Sequence, residues 1–261
     1  MSKIEEWAKQ IIARELNREV EVHDDGTQPG MYDLRVGPVT APQIAIECVG
    51  AVDPIRTETW NIGPARGPLW LKVAGDWHVE VKPNASIKAI SRRLEASLLY
   101  CEEQGLLGFL PVDWLLERHQ KPLFAELSSL GIKSIHCFRP SGRGEVHLGM
   151  TGMSGAVDTH GTGLPNWIAE FLRAPERSDV FLKLGRSGAQ ECHVFVPVSF
   201  GGAGWAVESY LERLGRVGRE IESVPSVAPD LPPPVNAVWI TNSANGLRWN
   251  GLCWRLFSSV P

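Results

Sequence analysis

The spacing of apolar residues changes from a helical to a strand period near the start of the chain. Apolar positions recur at helical spacing over residues 2–17, which predicts an amphipathic helix. A short strand is predicted at 20–22, and apolar and polar residues then alternate over 31–37 and 43–49. A loop at 38–42, with proline at both ends, should join the last two strands as a hairpin.

The rest of the chain continues to mix the two periods. The pattern predicts helices at 86–104, 112–129, 165–173 and 204–216. It predicts strands at 70–74, 77–81, 132–138, 144–149, 180–184, 191–198, Ala237–Thr241 and 247–257. This mixture indicates an α/β protein. The pattern restarts near residue 130, which favours one domain at 1–130 and an α+β region at 131–261; a single continuous sheet is the alternative.

Composition narrows the class of protein. Of the 261 residues, 43% are hydrophobic, an ordinary share for a chain with a packed core. The first residues lack the pattern of a signal peptide, and no apolar run approaches the ~18 residues of a membrane span. We therefore expect a cytoplasmic protein with no membrane partner. The net charge of −4 counts against nonspecific nucleic-acid binding, but it leaves room for a local basic patch.

The cysteines indicate neither a disulfide framework nor a zinc site. They are odd in number, far apart and free of any Cys-x-x-Cys pair, so they should be reduced and mostly buried. They are Cys48, Cys101, Cys137, Cys192 and Cys253.

The predicted hairpin brings two acidic residues together. With its loop centred on Thr40, Asp33 lies opposite Glu47 on the same face, with Cβ atoms roughly 5 Å apart. Carboxylates this close repel unless a cation lies between them, and Mg²⁺ or Mn²⁺ is the natural choice. The Cys48 carbonyl is a candidate third ligand, and Glu15 on the first helix is placed to assist. The alternative is a pair of solvent-facing acids on an amphipathic hairpin.

The order of helix, strand, Asp-bearing strand and Glu-bearing strand resembles the core of PD-(D/E)XK nucleases, the restriction-endonuclease-like fold. The likeness covers about residues 1–105, and Glu15 matches the first-helix acid of many members. It implies a mixed sheet flanked by helices and metal-dependent cleavage of DNA. The residues that carry it are Pro29-Gly30-Met31-Tyr32-Asp33 and Ala45-Ile46-Glu47-Cys48-Val49.

The sequence departs from the nuclease pattern at Val49, where the family has a catalytic lysine. Some members supply this lysine from a neighbouring strand, and Lys72 is then the best substitute, with Lys82 second. Two hypotheses follow. One is a nuclease with a relocated lysine; the other is a catalytically degenerate module that binds a protein, a second copy or nucleic acid. A third hypothesis is an enzyme of unrelated chemistry around the loop at 151–163.

Two further features complete the sequence evidence. Several arginines lie near aromatic residues, a combination that can bind phosphate and stack on bases, although stacking within the protein surface is commoner. They are Arg139, Arg143, Arg248 and Arg255, near Phe138, Trp249 and Trp254. The chain also resembles a family of uncharacterised actinobacterial proteins, a likeness that implies no function. Its residues are His23-Asp24-Asp25-Gly26, Pro29-Gly30-Met31-Tyr32-Asp33-Leu34, Glu58-Thr59-Trp60-Asn61, Glu191-Cys192-His193-Val194-Phe195-Val196 and Gly246-Leu247-Arg248-Trp249.

Overall fold

The structure, a computed structural model, describes residues 2–117, 120–152, 158–199, 201–214, 224–242 and 245–258. The α/β class predicted from the sequence is confirmed: helices flank two mixed β-sheets. In chain order, the elements are α1 (Lys3–Leu16), β1 (Glu21–Val22), β2 (Leu34–Val36), β3 (Ile44–Cys48), α2 (Pro54–Ile62), β4 (Leu69–Trp70), β5 (Asp76–Val81), α3 (Ile87–Glu103), β6 (Phe109–Pro111), α4 (Trp114–Glu117), α5 (Lys121–Ser129), β7 (Ile132–Arg139), β8 (Glu145–Met150), α6 (Leu164–Arg173), α7 (Ser178–Arg186), β9 (Glu191–Pro197), α8 (Trp205–Leu214), β10 (Ala237–Thr241), β11 (Asn245–Trp249) and β12 (Trp254–Ser258).

The chain divides into two compact units. The first joins Met1–Val52 to Gly155–Pro261, and the second is the intervening segment Asp53–Ser154. The predicted boundary near residue 130 does not match this division. The reason is that β7, which follows residue 130, pairs with β5 and β6, so it belongs to the inserted unit. No helix among the described residues is long and apolar enough to cross a membrane.

The first unit is built on a seven-stranded sheet in the order β1-β2-β3-β9-β10-β11-β12. Its centre is parallel, because β9 runs parallel to both β3 and β10, and its remaining pairs are antiparallel. The apolar side of α1 packs on one face through Ile11 and Ile12, against Ile46 and Trp239. Residues of α6, α7 and α8 form the core on the other face.

The second unit has a five-stranded sheet in the order β4-β8-β5-β7-β6. Helices α3 and α5 share a core with the buried residues of this sheet. The predicted helix at 86–104 closely matches α3, whose first turn is capped by the Ser86 side chain. By contrast, the predicted helix at 112–129 is two helices, α4 and α5, with residues 118–119 outside the described part.

One element differs from its prediction in type. Residues 180–184 were expected as a strand, but they lie in helix α7. In a strand, Leu182 and Leu184 would point to the same face, whereas in the helix Leu184 is 1% exposed and Leu182 is 57% exposed. Val180 and Leu184, four residues apart, are the buried pair. A short apolar run fits either period, which is why the sequence pattern misled here.

Candidate active site

The predicted register of the hairpin is confirmed. Leu34 pairs with Ile46 and Val36 with Ile44, so the same register places Asp33, one residue before β2, opposite Glu47. The loop closes through the Gln43 amide, which donates to the Val36 carbonyl at 2.9 Å. Because Ala45 belongs to the core on the α6–α8 face, alternation along β3 directs Glu47 to that face as well.

Asp33 is held by the end of the neighbouring strand. Its Oδ2 accepts a hydrogen bond from the Cys48 main-chain amide at 2.7 Å. Burial raises the pKa of the Asp33 carboxyl, while the Cys48 amide and the charge of Lys183 act in the opposite direction. The carboxylate therefore has a fixed orientation at the edge where β2 meets β3.

Glu47 is the buried member of the pair, with 4% of its surface exposed. Its Oε1 accepts a hydrogen bond from the Lys183 ammonium at 2.6 Å. Its Oε2 is buried and has no hydrogen-bond partner among the described residues. Burial, followed by the negative charge of Asp33, raises the pKa of Glu47 to about 7. One carboxylate oxygen is thus neutralised by a lysine, and the other is left with unmet bonding capacity.

Lys183 reaches the pair from α7. Its burial lowers the pKa, but the hydrogen bond and charge of Glu47, together with the charge of Asp33, raise it overall. Asp179, one turn earlier on the same helix, lies 4.0 Å from the ammonium. Lys183 therefore stays charged at neutral pH and faces two carboxylates at once.

The structure brings together only part of the predicted set. Asp33, Glu47 and Cys48 meet as expected, although Cys48 contributes its amide, and its carbonyl as a ligand stays a prediction. Glu15 is exposed and lies 3.6 Å from Arg14. The carboxylate of α1 that raises the pKa of Asp33 is Glu5, ten residues or about 15 Å along the helix from Glu15. Glu15 is therefore not placed at the pair.

Lys72 is also not part of this sheet. It lies between β4 and β5 in the second unit, where its main-chain amide donates to the Glu95 carboxylate at 2.9 Å. The predicted strand at 70–74 is shorter than expected, and β4 pairs with β8 of the other sheet. The assumption that Lys72 follows on a strand beside β3 is therefore wrong.

Sequence reasoning missed Lys183 because its segment was predicted as a strand. The available signal was helical: Asp179 and Lys183 are four residues apart, as are the buried residues Val180 and Leu184. Nothing local links Lys183 to Glu47, from which it is separated by 136 residues.

The donor atoms suit a hard divalent cation. The charge of Asp33 acts on the Glu47 carboxyl, and the buried Glu47 Oε2 is without a partner among the described residues. The described residues contain no group of three His, Cys, Asp or Glu side chains set to hold a metal. Mg²⁺ is commonly bound through one or two carboxylates with water and substrate phosphate completing the shell, so two are sufficient.

The third hypothesis placed an enzyme site in the loop at 151–163. Residues 153–157 of that loop lie outside the described residues.

No family model, curated protein or solved structure matches the chain. The resemblances to nucleases and to actinobacterial proteins therefore stay predictions, and function is argued from the geometry of the site.

Proposed function

We propose that this chain is a metal-dependent phosphodiester hydrolase that acts on DNA. Asp33 and Glu47 hold Mg²⁺ or Mn²⁺, and Lys183 supplies the positive charge that the nuclease pattern expects at Val49. The observation that carries the proposal is the contact of Lys183 Nζ with Glu47 Oε1 at 2.6 Å, in a site where Glu47 is coupled to Asp33.

The order of elements around the site supports this proposal. Helix α1 is followed by the antiparallel strands β1, β2 and β3. The chain later returns through α7 to β9, which runs parallel to β3. This arrangement sets the acids on one strand pair and the lysine on the helix that covers it. It agrees with the mixed sheet expected of a restriction-endonuclease-like core.

Asp33, Glu47 and Lys183 have separate roles in the proposed reaction. A bound divalent cation would polarise a phosphoryl oxygen and lower the pKa of a water. Asp33, oriented by the Cys48 amide, and Glu47 would hold the cation through their carboxylates. Lys183, held at Glu47 Oε1, would place its positive charge beside a substrate phosphate. Without a cation, burial and the charge of Asp33 keep the pKa of Glu47 at about 7, and a bound cation would hold this carboxyl in its charged form.

Cleavage of DNA tests the proposal. Single-stranded, duplex and supercoiled DNA are incubated with Mn²⁺ or with EDTA, using wild type, Asp33→Asn, Glu47→Gln and Lys183→Met. We expect metal-dependent cleavage by wild type and a loss of about a hundred-fold or more in each variant. The control is Glu21→Gln, which removes a half-buried acid paired with Arg35 in the same sheet and should cleave normally. Absence of metal-dependent cleavage on every DNA form, or full activity in Asp33→Asn, contradicts the proposal.

A second candidate is a module of the same architecture that binds without catalysis. The Lys183–Glu47 ion pair favours it, because this contact already neutralises one carboxylate without a metal. Val49 also favours the binding module, because it stands where the nuclease pattern has a catalytic lysine. A thermal shift with Mn²⁺ separates the two candidates, because a ligand that binds only the folded state raises its stability. The binding module predicts no Mn²⁺ shift that depends on Asp33 and Glu47.

A further inference from the structure

Within the part of the chain that the structure describes, one face of the second unit's sheet lies opposite the core that the sheet shares with α3 and α5. The buried residues of β5, β7 and β8, among them Val79, Ile135 and Leu148, point to the core shared with α3 and α5. Their neighbours along each strand point to the opposite face. We call this side the open face and define it by six residues: Trp70, His78, Phe109, His136, Phe138 and His147.

The strand register places these six residues on one side of the sheet. His78 on β5 pairs with His136 on β7 and with His147 on β8, so three imidazoles cross three adjacent strands. Phe109 on β6 pairs with His136, and Phe138 lies two residues further along β7. Trp70 on β4 pairs with Glu145, which shares a face with His147.

The aromatic rings of the open face are accessible. Trp70 is 64% exposed, Phe109 60% and Phe138 46%. Three large rings left in water on one sheet are unusual, since aromatic side chains are normally among the most buried. From β4 to β6 the face spans four strand spacings, or about 19 Å, room for several flat groups side by side.

The charges around the open face favour an anionic partner. Its two acids are already engaged: Glu80 accepts a hydrogen bond from Ser134 at 3.0 Å, and Glu145 lies 3.3 Å from His147. Next to Phe138, Arg139 contacts the buried Asp76 at 3.0 Å while 60% of its side chain stays exposed. Exposed Arg143 follows in the next loop.

Asp76 fixes the loop that carries Arg143. Its Oδ1 accepts main-chain hydrogen bonds from Arg143 at 2.6 Å and from Glu145 at 3.1 Å. The loop passes so close that a Cβ atom at Gly142 would lie 2.2 Å from the Asp76 carboxyl carbon. Asp76 thus fixes the Arg143 main chain and holds one end of the Arg139 guanidinium, close in sequence to the exposed ring of Phe138.

We propose that the open face binds single-stranded nucleic acid, with bases stacked on Trp70, Phe109 and Phe138 and phosphates at Arg139 and Arg143. Exposed aromatic residues on an open sheet face, flanked by cations, are a recurrent way of binding unpaired bases. In a duplex the flat faces of the bases are covered by neighbouring base pairs, so they cannot stack on these aromatic rings. This inference does not depend on the catalytic proposal, because the site lies wholly in the second unit.

Fluorescence anisotropy with the full-length chain tests this inference. Fluorescein-labelled oligo-dT, oligo-rU and a mixed-sequence duplex are titrated in EDTA, which removes any metal-dependent cleavage from the readout. We expect both single strands to bind more tightly than the duplex. Trp70→Ala and Phe138→Ala should each weaken binding about ten-fold, the loss expected for one stacked base. Comparison of oligo-dT with oligo-rU reports any preference between DNA and RNA.

Two variants sharpen the result. Tyr100→Ala removes an exposed ring from α3, the helix that covers the other side of the sheet, and should bind normally. Arg143→Gln keeps the main-chain bond to Asp76 and should lower the salt slope of log Kd by about 0.7, the value for one phosphate contact. Thermal unfolding confirms that each variant is folded.

Four outcomes overturn the inference. The first is no binding of either single strand at low salt, and the second is equal affinity for duplex and single strands. The third is that Trp70→Ala and Phe138→Ala bind single strands as tightly as Tyr100→Ala does. The fourth is a dimer in sedimentation that Trp70→Ala and Phe138→Ala dissociate while nucleic-acid binding is unchanged, which would assign the face to a second copy of the chain.

Discussion

Glu47 is the residue of the site whose pKa is raised to about 7 by its surroundings. It is buried, it faces Asp33, and only one of its oxygens is bonded to Lys183. A carboxyl in this setting keeps its proton until near pH 7. Below about pH 7, a cation that binds the carboxylate must therefore displace that proton.

Mn²⁺ affinity should accordingly depend on pH. Below the Glu47 pKa of about 7, we expect Kd to weaken by up to about ten-fold per pH unit, because binding releases one proton. Above that pH the affinity should level off. Isothermal titration calorimetry over a pH series measures this. Glu47→Gln, which has no proton to release, should bind weakly and without the slope; a wild-type affinity that is flat from about pH 5 to 8 contradicts the role of Glu47.

Lys183 should stabilise the fold in a pH-dependent way. The pKa of Glu47 is higher in the folded than in the unfolded protein. The contribution of Glu47 to folding stability is therefore full below the ordinary value of 4.5 and is lost as pH rises through about 7. Without the positive charge of Lys183, the folded-state pKa of Glu47 rises further, so more folding stability is lost when Glu47 ionises at high pH. Lys183→Met should cost on the order of 2 kcal/mol near pH 8 and much less near pH 4.

Denaturant unfolding at both pH values measures the Lys183→Met effect. Lys183→Arg, which keeps the charge, is the matched control and should lose less stability at the higher pH. An equal loss for Lys183→Met at both pH values would show that packing of the lysine stem, and not its charge, carries the contribution.

At the scale of elements, local patterns proved sufficient for the hairpin and insufficient for α7. The Asp33–Glu47 pairing follows from strict alternation on two strands and a short loop, all within neighbouring residues. The identity of α7 depends on which of its apolar residues face the sheet, and that sheet includes β3, whose Ala45 shares the core with Val180 and Leu184 but is distant in sequence. Lys183 could therefore not be assigned to the site from its own surroundings.

Two leucines distinguish the helix from the predicted strand. In α7, Leu184→Ala should cost about 2–5 kcal/mol, because it empties a buried position. Leu182→Ala should change the free energy of unfolding by less than about 0.5 kcal/mol, since that side chain faces solvent. Denaturant unfolding of both variants measures the difference. Similar large losses for both would support a strand, in which the two residues share a face.

At the scale of the whole molecule, the chain forms two units that each have their own sheet and core. The sequence could not reveal that the second is an insertion. Its β8 returns beside β5 as a parallel neighbour, and the first unit resumes only afterwards. The pattern of apolar and polar residues identifies the individual strands. It does not reveal which strands pair when they are far apart in sequence.

Damage to one core should therefore stay within its unit. Leu94 is fully buried in α3 of the second unit, and Leu94→Ala should destabilise that core by about 2–5 kcal/mol. Hydrogen exchange should then accelerate in β5, β7 and β8, while β9 and β10 keep their protection. Equal acceleration in both sheets would indicate that the two units unfold as one.

The proposed hydrolase activity depends most on whether the acidic pair holds a metal. Crystals grown with Mn²⁺ and measured at the manganese absorption edge give a direct answer. We predict an anomalous peak bound by the carboxylates of Asp33 and Glu47, absent in crystals of Glu47→Gln, with the Lys183 ammonium shifted away from Glu47 Oε1. A map with no peak at the pair, and with the contact between Lys183 and Glu47 intact, contradicts the proposed metal site.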